Sequence, residues 1–161
     1  MTTDELIARW LYSAKVVMAA HYEAARFYGR RHYWIGVPAL VLSTAVGTTV
    51  FAALGKTVNT SIRLATGGAS VLAAILTALQ TFLGYNQLAA KHKSAGADYA
   101  ALIREIHQQL AFPSSKPDEL RKFVDNIRVR FDTLSKESPS LPEKLWKQAI
   151  SEADSTNEDE S

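Results

Sequence analysis

Two long runs without a formal charge constrain this chain more than anything else in it. No Asp, Glu, Lys or Arg occurs from His32 to Gly55, and none from Leu64 to Ala90. Within the first run, Tyr33–Leu54 would rise about 33 Å as an α-helix, enough for the ~30 Å hydrocarbon core of a bilayer. Within the second, Leu64–Tyr85 has the same length. A buried helix in a small soluble bundle normally keeps a charged stripe, because one side of it faces water. These runs leave no room for one. The polar link Gly55–Arg63, GKTVNTSIR, is short enough to send the second helix back along the first. The pattern predicts an all-α membrane protein built on an antiparallel two-transmembrane hairpin, with spans at 33–54 and 64–85.

The flanks of the spans also read as helix. Thr2 and Glu5 have the spacing of a capping box. Ile7, Leu11, Ala14 and Met18, beside Leu6, Trp10, Val17 and Ala24, then make a broad apolar face over 4–31. After Asn86 and Gln87, the series Leu88, Ala95, Tyr99, Leu102, Ile106 and Leu110 continues at coiled-coil-like spacing, so the second helix is expected to run unbroken to 111. The two extensions should lie against each other. Pro113 and Pro117 break the pattern, and Asp118 is the expected cap of a helix over 118–137 with Leu120, Val124, Ile127, Phe131 and Leu134 on one face. A short helix over 143–150 follows Pro142. Residues 1–151 are thus one domain. The last ten residues hold five acids and no base, so 152–161 reads as an acidic disordered tail; the rest carries 18 bases against 11 acids, a formal +7.

Charge places the ends. Arg26, Arg30 and Arg31 precede the first span and Lys91 and Lys93 follow the second, against only Lys56 and Arg63 in the link. Bases concentrate on the cytoplasmic side, so both termini are expected there. His32 and His92 join this boundary cluster. As a pair they suggest a site for lipid phosphate or another anion, or a pH-sensitive hinge, although interfacial anchoring is the simpler account. Pro38 should kink the first span or mark its first turn.

Enzyme chemistry has little to stand on. The chain has no cysteine and four histidines without metal-ligand spacing, and it lacks nucleotide-loop, zinc-protease and nucleophile-elbow motifs. No enzyme, cofactor, metal site or nucleic-acid partner is expected. The spans themselves carry the unusual surface. Gly36, Leu40, Ser43 and Gly47 form a narrow strip on the first, and small residues recur every four positions along the second. Such faces let helix backbones approach closely, and their number exceeds what one hairpin needs, so a homo-oligomer is expected. Ala73, Thr77, Gln80, Gly84 and Gln87 are the candidate polar pathway, because an amide inside a bilayer faces a partner helix or a water-filled path.

The runs AHYEAARFYGRRHYWIGVPALVLSTAVGTTVF (Ala20–Phe51) and TALQTFLGYNQLAAKHKSAGADYAALIREI (Thr77–Ile106) resemble the SLATT family, the "SMODS and SLOG-associating two-transmembrane effector" domains of bacterial defence systems. The resemblance runs from about Tyr12 to Trp146. It implies a bacterial inner-membrane effector that forms a pore or disrupts the bilayer, driving cell death or dormancy beside a nucleotide-second-messenger synthase or sensor. The residues alone leave a second reading open, a non-conducting adaptor whose hairpin tethers a cytoplasmic helical docking surface.

Overall fold

The computed structural model describes residues 2–53, 57–113 and 116–159, with side chains through 155 in the last stretch. It is all-helical, with no strand among the described residues: α1 (Thr3–Ala52), α2 (Thr60–Leu83), α3 (Tyr85–Ala111), α4 (Pro117–Glu137) and α5 (Glu143–Asp159). The chain divides into two units. Unit 1 comprises Met1–Arg26 and Leu88–Ser161; unit 2 is Phe27–Gln87.

Unit 1 is a helical bundle with a largely apolar core. Its first helix begins as its capping residues dictate: the Thr2 backbone N–H donates to Glu5 Oε2 at 2.9 Å, and the Glu5 N–H donates to Thr2 Oγ1 at 3.2 Å. Ile7 from α1, Leu102 and Ile106 from α3 and Ile127 from α4 close one apolar cluster. Ala14 with Tyr99 and Ile103 makes the next, and Val16, Ala20 and Ala149 of α5 a third. Tyr99, Leu102 and Ile106 are at most 1% exposed, so the helical spacing along α3 is the spacing of its buried face. Glu105 and Arg130 form an ion pair between α3 and α4.

Two helix ends in unit 1 differ from expectation. Lys116, not Asp118, is the N-cap of α4, because Pro117 takes the first helical position, where its missing N–H costs nothing and its φ is already helical. The last helix does not stop at 150 but runs to Asp159. Its acidic end has an anchor after all: Ala153 packs on the third cluster and Asp154 accepts a hydrogen bond from the Tyr12 hydroxyl, which raises the phenol's pKa.

Unit 2 contains the apolar segments, and two helices are long and apolar enough to cross a membrane. Pro38 sits inside α1 without ending it. Helix α2 begins at Thr60, capped by Asn59, whose Oδ1 accepts from the Ser61 N–H at 3.0 Å; the polar link is therefore shorter than 55–63, and Lys56 within it lies outside the described residues. At its other end the expected unbroken helix is interrupted. Gly84 adopts φ 55°, ψ 28° and caps α2, and α3 starts one residue later. A left-handed residue costs other side chains a clash that glycine escapes, so helical periodicity passes through Gly84 while the helix does not.

Candidate functional site

Unit 2 carries all of the residues picked out for a polar pathway, and its contacts separate them. Ser43, Gly47, Ala73 and Thr77, together with Ser70 and Phe82, line an open groove of about 1000 Å³. Its walls are less polar than their composition. Ser70 donates to the Thr66 carbonyl at 2.8 Å, Thr77 to Ala73 at 2.9 Å and Thr81 to Thr77 at 3.1 Å. A hydroxyl turned back onto its own helix presents its carbon atoms to the groove. Thr44, Thr48 and Thr49 on α1 do the same with carbonyls four residues back.

Gln80 belongs to a neighbouring recess of about 430 Å³ with His32, Gly36, Ser43 and Thr77. Its Nε2 lies 3.4 Å from His32 Nδ1, and a Cβ added to Gly36 would stand 2.8 Å from that same Nε2. The amide therefore faces a partner helix, as an amide among apolar side chains should. The Gln80 amide fills the space that a side chain at Gly36 would take. Gly84 lines neither cavity; its place is the end of α2.

The boundary cluster is divided as well. Arg30, Arg31 and His32 fall in unit 2, whereas Arg26, Lys91, His92 and Lys93 fall in unit 1. Arg31 places its guanidinium 4.4 Å from the Phe27 ring centroid and 6.0 Å from that of Tyr85, against which Tyr28 stacks. Exposed Tyr33 and Trp34 follow directly. Arg26 pairs with Glu23, and Lys91 lines a cleft of about 370 Å³ with Asp98 and Glu137.

His92 is the correction. Grouped by sequence with the boundary bases, it is 0% exposed inside unit 1, on the α3 face that also carries Ala95 and Tyr99. Its Nδ1 lies 2.9 Å from Nδ1 of His21, which is 2% exposed. Tyr99 stacks on the His21 ring with centroids 5.8 Å apart. Burial pushes His21 down to about 4, with the neighbouring His92 charge acting the same way, and burial pushes His92 down too. Nothing singled out His21 in the sequence except its step of seven from Ala14, a buried position. That signal was present and is easily mistaken for the margin of an apolar face.

Among the described residues no three of His, Cys, Asp and Glu gather where they could hold a metal ion. No family model, curated protein or solved structure matches this chain.

Proposed function

We propose that this protein is a bacterial inner-membrane effector whose unit 2 crosses the bilayer as an antiparallel hairpin, with both termini in the cytoplasm, and whose copies assemble to permeabilise the membrane. The observation that carries the membrane reading is outward-facing apolarity. The most apolar 18-residue stretch of each long helix is only 6% buried, whereas the core helix of a soluble bundle would bury such a stretch. The hairpin is supported by contacts that run in opposite directions along the two segments. Gly36 meets Gln80, Ser43 shares a groove with Ala73 and Thr77, and Thr49 shares another with Ile62 and Thr66. Assembly is supported by the small-residue groove, which a single hairpin leaves open. The link to a nucleotide-second-messenger synthase or sensor, and to defence by cell death or dormancy, comes from the resemblance to SLATT proteins.

A second reading, the non-conducting adaptor, draws support from the groove's chemistry. With Ser70, Thr77 and Thr81 bonded to their own carbonyls, the groove suits a helix or a lipid chain better than a file of water. Purified full-length protein in liposomes separates the two. An effector releases an encapsulated dye, and Gln80→Leu and Ser43→Leu change the rate. Oligomers that form yet never conduct under any trigger would sink the pore. The adaptor would instead keep its cellular function when both spans are exchanged for an unrelated hairpin.

A further inference from the structure

The histidine pair of unit 1 has no part in that reading, yet its placement is unusual. Two buried imidazoles meet through the same ring atom, Nδ1 to Nδ1 at 2.9 Å, where α1 packs on α3. One proton fits between those nitrogens. One ring must therefore donate from Nδ1 while the other accepts there and keeps its own proton on Nε2. A further proton charges a ring enclosed by protein. Protonating both rings sets two N–H groups head-on within that same gap, and the rings must part.

Among the described residues, His92 is the one charge-bearing group that acts on His21. From α3, His92 and Tyr99 face it, and from α4, Phe131 packs edge-on against Tyr99 while Ser135 bonds the Tyr99 hydroxyl at 3.3 Å. The acids of the neighbouring elements are directed elsewhere. Glu23 pairs with Arg26, Glu152 of α5 also acts on Arg26, and Asp154 accepts from Tyr12. Asp98 and Glu137 line the cleft with Lys91. Just beyond the pair, Tyr22 lies flat against Gly96, its ring 3.2 Å from where a Cβ would stand, so separation of the histidines must also open this close contact.

We propose that His21 and His92 form an acid-sensitive latch, closed when both rings are neutral, that holds α1 against α3 in unit 1 and opens when the pair takes up protons. The direction follows from burial, which favours the neutral rings in the folded seam. The latch is fully closed above the ordinary imidazole range, about 6.5. Its stabilisation is lost as pH falls from there towards 4, the range to which burial brings His21.

The experiment is hydrogen exchange on full-length protein in nanodiscs between pH 7.5 and 4.5, corrected for intrinsic exchange and read on the α3 amides from His92 to Ile103. The expected result is a loss of protection of roughly 10- to 100-fold on acidification. His21→Gln, which can still bond to His92 but cannot be charged, should flatten most of that loss. A parallel fall in wild type and variant would overturn the latch. Should the variant fail to fold, imidazole NMR of the wild type decides: both rings titrating near 6.5 would overturn the proposal. Added Zn²⁺ is a third arm. Protection that rises with the metal at neutral pH would make the pair a metal site, not a latch. Dye leakage is not a readout here, so failure of the pore and failure of the latch remain distinguishable.

Discussion

Unit 1 and unit 2 are built from the same secondary structure and solve opposite problems. In unit 1 the large apolar side chains of the core turn inward, Leu102 and Ile106 being 0% exposed and Ile127 1%, while Leu110, Phe112 and Val129 stay exposed. In unit 2 they turn outward, with Phe82 88% exposed, Trp34 79% and Leu64 78%, while its buried hydrophobics among the described residues are two alanines, Ala39 and Ala73. A helix facing water hides its large residues and shows its charges. A helix facing lipid reverses the arrangement, because lipid tails are as apolar as leucine and only close packing remains to hold helices together. One chain thus carries both arrangements of side chains, and the exchange occurs within α1 itself, whose charged residues end at Arg31.

The contrast breaks most sharply in the core of unit 1. Ile106→Ala should cost on the order of 2–5 kcal/mol, because the deleted methyls leave a cavity lined by Ile7, Leu102 and Ile127. Denaturant unfolding of full-length protein in mild detergent, followed by tryptophan fluorescence, to which Trp10 beside this cluster contributes, measures it. A loss below about 1 kcal/mol would mean that this cluster is not the stabilising core its burial indicates.

The next test exchanges the solvent logic. Val71 is 61% exposed, and at a water-facing position an arginine would change stability by no more than about 0.5 kcal/mol. In the middle of a span the same Val71→Arg change opposes insertion by roughly 2.5–3.5 kcal/mol. The fraction of protein retained in carbonate-washed membranes should therefore fall well below wild type. Unchanged retention would remove unit 2 from the bilayer.

These two positions also explain what was legible in the sequence. The charge-free runs mark the apolar segments because exclusion of Asp, Glu, Lys and Arg is a one-dimensional property. The face Tyr99, Leu102 and Ile106 was equally visible, since helical periodicity places those side chains together whatever packs on them. Tertiary partners were not visible in the same way. His92 has basic neighbours on both sides in sequence, Lys91 and Lys93, and only the packing of α3 turns it away from them towards His21. The interruption at Gly84 was hidden because one left-handed residue hardly disturbs a hydrophobic pattern. Asp154 looked like tail because nothing local to it announces Tyr12, 142 residues away.

The smallest effect concerns how tightly unit 2 is packed. Gly36→Ala would place a methyl 2.8 Å from Gln80 Nε2, closer than carbon and nitrogen tolerate. The obstructing atom is the tip of a flexible side chain, so the amide can swing aside. Swinging aside costs its contact with His32, already long at 3.4 Å. An alanine in a helix interior recovers up to about 1 kcal/mol over glycine, so the two effects nearly cancel and stability should move by less than about 0.5 kcal/mol. The informative readout is the His32 imidazole resonance, which should shift when Gln80 leaves it. A large loss of stability with that resonance unmoved would mean that the methyl meets helix backbone, and that the two segments approach more closely at Gly36 than the reach of a glutamine allows.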